Sequence, residues 1–380
     1  MKALSKLIYG IPAIAMLALA SCTDVEPMEV DHVGGMNTLD NEKSAKYYAD
    51  LRKWKETSQN YGRPVSFGWF SNWSPEGPVR KGYLASLPDS IDFISMWSGP
   101  FDLTPAKIKD KEIFQKKKGG KLFVCYILHN IGTGITPAWV SQKVEAENPD
   151  VSSDVLTVLK NKAQSEYWGY TSGVKGSDDH LQAIRTYAKA LVDTIVKYDY
   201  DGLDIDWEPS AGGDGDGSLK GAGGAYLHEL VMEMGKYFGP MATERPNGKY
   251  YYFLIDGEIW NAHKESAPYF DYFITQAYGN SSKYSLDNRV SVLKRWCGEY
   301  YNTRKHIFTE NFESYWNSGG ALCAQAAYNN AEGPKGGVGS FRLDNDYDNT
   351  PDYKFTRMAI QINLNAYKEY MESQNNTETE

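Results

Sequence analysis

The chain has 380 residues, 41% hydrophobic and 23% charged, with a formal net charge of −9. This describes an ordinary soluble globular protein, and the acidic balance argues against nucleic acid or an anionic membrane surface as a partner. The length fits two small domains or one barrel-sized domain.

Met1 to Ala20 carries Lys2 and Lys6 ahead of an apolar run from Leu7 to Ala20, a secretory signal too short to span a membrane. It ends Leu19-Ala20-Ser21-Cys22, which resembles the lipobox of bacterial lipoproteins. That resemblance implies removal of residues 1–21 and lipidation of Cys22. The following Thr23-Asp24-Val25-Glu26 is similar to the acidic signal of Bacteroidetes surface lipoproteins, implying an outer-membrane anchor facing outward. Residues 22–40 are polar, include Gly34-Gly35 and lack periodicity, as a flexible tether would. Cys125, Cys297 and Cys323 remain. An odd number without C-x-x-C spacing provides neither a disulfide framework nor a zinc site, so buried thiols with at most one bridge are expected.

A domain is expected over 41–372. Asn41 to Ser58 reads as a helix with Tyr47, Leu51 and Trp54 on one stripe. Strands are expected at 64–70, 90–97 and 121–128, with a helix over 105–118 between the second and third. A long insertion, 132–176, holds Trp139, Tyr167, Trp168 and Tyr170 and reads as a functional loop or a structural ornament. A helix over 179–197, capped by Asp178 or Asp179, leads into a fourth strand at Tyr200. Helix 225–237, strands 250–255 and 270–278, helix 286–300, strands 306–312 and 337–343 and helix 354–372 follow. Residues 373–380 read as a disordered tail. Alternating strands and helices imply parallel strands covered by helices, and eight strands favour a single (β/α)8 TIM barrel. No dinucleotide fingerprint follows the first strand, which counts against an open sheet.

The chemistry concentrates in Asp201-Gly202-Leu203-Asp204-Ile205-Asp206-Trp207-Glu208-Pro209. Alternation puts Asp204, Asp206 and Glu208 on one face and Leu203, Ile205 and Trp207 on the other. Three carboxylates in a row lose hydration and repel one another, so they point to a shared proton or to acid chemistry. Sites in such barrels lie at the C-terminal strand ends. There the chain places Trp69 and Asn72, Trp97, His129 and Asn130, Glu208, Asp256 and Glu258, Gln276 and Tyr278, Glu310 and Asn311, and Arg342 and Asp344. Together they describe a polar cleft rimmed by aromatics, suited to stacking against sugar rings or other flat ligands.

Other chemistries fit poorly. The six histidines show no ligand spacing, so neither a metal centre nor another cofactor is expected. Asp214-Gly215-Asp216-Gly217-Ser218 mimics the start of a calcium loop, but its twelfth position is Ala225 rather than Glu. Gly221 to Gly224 lacks the register for phosphate, and no G-x-S-x-G nucleophile motif appears.

Asp201 to Glu208 resembles the D-G-x-D-x-D-x-E signature of glycoside hydrolase family 18, and Tyr278 matches that family's strand-six tyrosine. The family comprises chitinases and endo-β-N-acetylglucosaminidases on a (β/α)8 barrel and works by substrate assistance. The resemblance implies Glu208 as proton donor, Asp206 as holder of the substrate acetamido N–H, and Asp204 as its tuning partner. Tyr278, with Gln276, would bind the acetamido oxygen. Chitinases commonly carry Met-x-Tyr-Asp on strand six, whereas this chain has Gln276-Ala277-Tyr278-Gly279. A lipid-anchored single barrel resembles the endo-β-N-acetylglucosaminidases of gut Bacteroidetes, which cut between the two core GlcNAc residues of N-glycans. Expected partners are therefore N-linked or other GlcNAc-containing glycans, with the protein a monomer. A chitooligosaccharide hydrolase and a catalytically silent glycan-binding protein are the alternatives.

Overall fold

The computed structural model describes residues 43–211 and 217–377. The signal, Cys22, the tether, most of the calcium-like Asp214–Ser218 stretch and the last three residues lie outside them. Eight parallel strands close into a barrel in chain order: β1 (Val65–Phe70), β2 (Phe93–Trp97), β3 (Lys121–Ile127), β4 (Gly202–Trp207), β5 (Tyr252–Gly257), β6 (Tyr272–Gln276), β7 (His306–Asn311) and β8 (Gly337–Phe341). Closure is direct, with Val65 of β1 opposite Gly337 of β8. The expected (β/α)8 barrel is therefore the observed fold.

Strand alternation sorts the core into two compartments. Phe67, Trp69, Phe93, Phe123, Cys125, Leu254, Ile274 and Ile307 fill the barrel interior. Outward-facing residues such as Ile94, Val124, Leu203, Ile205, Phe253 and Phe273 pack under the helices. Those helices are α1 (Ala45–Glu56), α2 (Pro105–Glu112), α3 (Ala138–Glu147), α4 (Ser153–Tyr167), α5 (Asp178–Lys197), α6 (Ala225–Met234), α7 (Lys283–Cys297), α8 (Leu322–Ala327) and α9 (Lys354–Thr377). Several begin at hydroxyl caps that satisfy an orphan amide: Ser44 Oγ accepts from Tyr47 N, Thr104 Oγ1 from Lys107 N and Ser282 Oγ from Ser285 N.

The structure specifies or shifts four elements of the sequence expectation. The 132–176 insertion is a helical pair, α3 and α4, whose Trp168 packs edge-on against Tyr187 of α5 and donates its indole N–H to Thr136. The N-cap position of helix α5 is Ser177 rather than an aspartate, and its side chain makes no cap hydrogen bond. Asp179 is occupied in the preceding turn, where its carboxylate accepts from the amides of Thr171 and Ser172. Short α8 carries no long periodic stretch to announce it, and α9 continues to Thr377, past the expected helix end. Cys125, Cys297 and Cys323 are free thiols.

The N-terminal barrel face is held by a buried ion pair. Arg63, entering β1, donates from both terminal guanidinium nitrogens to Asp92, which precedes β2, at 2.9 and 2.7 Å. Arg63 also stacks 3.5 Å from the centroid of Trp54, tying α1 across this face. Asp92 accepts the Ser66 amide as well. Removing one partner of such a pair leaves a buried charge without compensation. Asp92→Ala is therefore expected to lower stability by about 3–5 kcal/mol in urea unfolding. A loss within the scatter of surface mutants would show the pair to be dispensable.

Candidate active site

On β4 the outward residues Leu203, Ile205 and Trp207 are buried in the helix layer, while Asp204 and Asp206 point into the barrel. Asp204 is fully buried, and its Oδ2 accepts from Trp69 Nε1 at 2.9 Å and from Ser95 Oγ at 2.7 Å. The β4–β5 register sets Asp256 beside Asp206, and a carboxylate oxygen of Asp256 lies within 4.8 Å of one of Asp204. Gln276 Nε2 donates to Asp256 Oδ1 at 2.9 Å. Asp204 Oδ1, Asp206 Oδ1 and Asp256 Oδ2 are buried and receive no N–H or hydroxyl donor from the rest of the protein.

Three facing carboxyl groups in this setting cannot all ionise, so they share protons. Burial is the main cause for each. It raises Asp204 to about 6, against the pull of its bonds from Ser95 and Trp69. It raises Asp206 to about 8, helped by the charges of Glu208 and Asp204. Asp256 is pushed well above the usual range by burial and then by Asp206 and Asp204. Cys125 comes close enough to Asp204 and Asp256 for the three to resemble a ligand set, with candidate atoms within 4.8 Å of one another. Burial and the same carboxylates push its thiol far up, so without a bound cation it is protonated.

Glu208 follows β4 and is half-buried. Gly257 makes room for it: with φ of +82°, a Cβ there would lie 2.6 Å from Trp207 O and 3.0 Å from both Asp206 Oδ1 and Glu208 Cγ. Glu258 Oε2 accepts from Ser210 N at 3.0 Å and Asn261 Nδ2 at 2.9 Å, pinning the turn after Glu208. Tyr278, half-buried after β6, has its pKa raised by burial and then by the charges of Asp256, Asp206 and Glu208. It is a neutral phenol, able to donate a hydrogen bond.

An open cavity of about 340 Å³ adjoins Glu208 and is lined by Ser210, Ala211, Gly257, Glu258, Trp260, Gln276 and Arg289. Trp260 is exposed and can stack on a ring. At the ends of β2 and β8, Trp97 and Phe341 meet edge to face at 5.4 Å, and Phe341 lies 6.3 Å from Trp69. They form an apolar wall.

Of the ligand-contacting residues expected from sequence, Gln276 lines the cavity and Trp97 is partly exposed. The others make contacts within the protein. Trp69 and Asp256 are buried and support the acids. His129 packs edge-on against Trp207, on the outward face of β4, and Asn130 Oδ1 accepts the Ser218 amide. Glu310 is buried and accepts from the amides of Gly279, Asn311 and Ala321. Asp344 is buried and accepts from Ser71 N and Asn72 Nδ2. Asn311 accepts the Glu313 amide, and Arg342 pairs with Glu313 at 3.3 Å. A strand-end polar residue thus often completes a turn.

Sequence reasoning missed Ser95, Cys125, Trp260 and Arg289. Ser95 was within reach, because it shares inward parity with Phe93 and Trp97 on β2. Arg289 sits on a helix facing the cavity, which no local pattern reveals.

The profile of glycoside hydrolase family 18, BT1044-like, matches residues 23–362. The chain belongs to glycoside hydrolase family 18. Among solved structures, a selenomethionine-labelled glutamate-to-glutamine variant of BT1044 is 26% identical with a TM-score of 0.67, over 87% of this chain and 97% of that one. An endo-β-N-acetylglucosaminidase from Cordyceps militaris shares the fold at 18% identity with a TM-score of 0.57, over 86% and 98%. A chitinase from Bacteroides thetaiotaomicron is 11% identical with a TM-score of 0.46, over 80% and 97%. No curated protein matches the sequence.

In this family 18 protein the shared protons link the site to stability. A free aspartate titrates near 4, roughly. Between that value and the about 6 and about 8 of Asp204 and Asp206, the native state keeps protons that the unfolded chain releases. Their contribution is complete below roughly pH 4 and is lost as pH rises through the folded values. Asp206→Asn removes one such group. The variant's melting temperature is expected to fall less than the wild type's between about pH 4 and about pH 8. Parallel declines in thermal melts would contradict the assignment.

Proposed function

We propose that the protein is a retaining endo-β-N-acetylglucosaminidase that cleaves the β-1,4 bond between the two core GlcNAc residues of N-glycans. The observation carrying this reading is the division of the acidic strand: Asp204 and Asp206 buried among shared protons, Glu208 half-buried against an open cavity. Membership of family 18 supplies the substrate-assisted chemistry.

In this mechanism Glu208 protonates the glycosidic oxygen as the bond from C1 to that oxygen breaks. The substrate's own acetamido carbonyl oxygen attacks C1 and forms an oxazolinium ion. Asp206 accepts a hydrogen bond from the acetamido N–H and stabilises the positive charge, while the neutral Tyr278 hydroxyl donates to the acetamido oxygen. Glu208, now ionised, takes a proton from water as that water attacks C1 and the bond from C1 to the acetamido oxygen breaks, restoring the acetamide. The sugar leaves with retained configuration, and Glu208 is again protonated.

Asp206 needs an electron-rich oxygen towards the substrate, and a proton available nearby lets its charge adjust. Asp256 and Asp204 provide that reservoir, since both are buried in the same cluster as Asp206. The absence of the chitinase Met and Asp around Tyr278 and the branched substrate's need for an open, aromatic-bearing cavity support the endo-acting reading over a chitinase. With Cys22 lipidated, the enzyme would work at the outer surface of the outer membrane on glycans arriving from outside.

Incubation with an N-glycosylated protein and with chitin oligomers, followed by mass spectrometry, tests this. The expected products are a released glycan ending in one GlcNAc and a protein retaining the other. Cleavage of chitin oligomers alone would reassign the enzyme as a chitinase, and binding without cleavage would make it a silent glycan receptor. Glu208→Gln is expected to slow release by about 10²–10⁴-fold. Undiminished release would overturn the role given to Glu208.

A further inference from the structure

Apart from the carboxyl cluster, two histidines and a glutamate converge. His228 lies on α6, and His263 and Glu265 lie on the connection from β5 to β6. The two imidazoles have centroids 4.9 Å apart and planes inclined by 30°. His228, His263 and Glu265 each offer one ligand atom, and these atoms lie within 4.8 Å of one another.

Neighbouring structure holds this convergence in place. At Gly224, which caps α6 with φ of +81°, a Cβ would meet His263 N at 2.5 Å and Ala262 Cα at 3.0 Å, so only glycine admits the approach. Trp296 Nε1 donates to Ala262 O at 2.7 Å, fixing the residue before His263. Ser266 is fully buried, and its amide donates to His263 O at 2.9 Å. Its hydroxyl lies 2.8 Å from His228 Nδ1. With Nδ1 donating to that hydroxyl, Nε2 of His228 carries the lone pair available to a metal. His263 Nδ1 is buried with no hydrogen-bond partner, an uncompensated acceptor or donor that calls for a ligand.

We propose that His228, His263 and Glu265 bind a divalent transition-metal ion of the zinc type, with water completing the coordination. Two imidazoles and one carboxylate form a donor set suited to zinc, and the partly exposed setting leaves water access to the remaining position. The histidines are 35 positions apart in the chain, so no motif spacing reveals them. The metal staples α6 to the segment that begins with Glu258 and Trp260 at the cavity. Its role is structural: it fixes the loop carrying part of the glycan-facing wall.

The full-length protein, stripped with a chelator and dialysed into metal-free buffer, is titrated with Zn²⁺ by calorimetry, with bound metal counted by mass spectrometry. One equivalent per chain is expected, together with visible ligand-field absorption when Co²⁺ replaces Zn²⁺. His228→Ala and His263→Ala abolish that equivalent. Ser266→Ala, which removes only the group orienting His228, weakens binding by about 10–100-fold. Glu265→Gln changes an exposed side chain, so it keeps the test open if a histidine variant fails to fold. It is expected to bind more weakly while retaining the wild-type circular dichroism. No uptake by the wild-type protein, or uptake that a folded Glu265→Gln variant leaves unchanged, would overturn the site.

Discussion

The site depends on a constraint imposed by burial: carboxyl groups enclosed in a barrel cannot all be charged. Desolvation penalises each charge, and mutual repulsion adds to it. Asp204, Asp206 and Asp256 occupy this position because parallel pairing places β4 and β5 side by side in register. The cluster is tolerated because protons are shared within it and because Trp69, Ser95 and Gln276 supply polarised donors around its edge. Those donors orient the acids, and the unequal environments separate their proton affinities.

This graded arrangement gives the site its direction. The most enclosed acids hold protons, and the acid nearest solvent stands at the cavity. Gly257 permits the close approach of β5 to Asp206 and Glu208, and Glu258 then holds the turn leaving β4. The reacting end is therefore set by main-chain packing of two neighbouring strands. A rigid support of this kind reduces the reorganisation required when charge moves during a reaction.

Much of the frame was legible in the sequence because strand alternation and helix periodicity are local. The inward run Asp204, Asp206, Glu208 could be read directly from β4, and all eight strands were recognisable as short apolar runs. The family 18 signature suggested roles for these acids. What escaped depends on contacts across the chain. Asp256 becomes part of the acid cluster only through strand register, and Arg289 reaches the cavity only when α7 is laid against the barrel. His129 follows a strand just as Glu208 does, but it packs against the outward-facing Trp207. The 132–176 segment has helical patches, yet its docking through Trp168 onto α5 is a tertiary event.

Glu310 illustrates how such a structure can mislead a functional scan. A buried acid at the mouth of a glycosidase barrel resembles a second catalytic carboxylate. Here both of its oxygens are engaged by the amides of Gly279, Asn311 and Ala321, joining the turn after Tyr278 to the ends of β7 and the segment before α8. It works as a keystone between three loops. Replacing it would free three amides at once and loosen the turn that carries Tyr278.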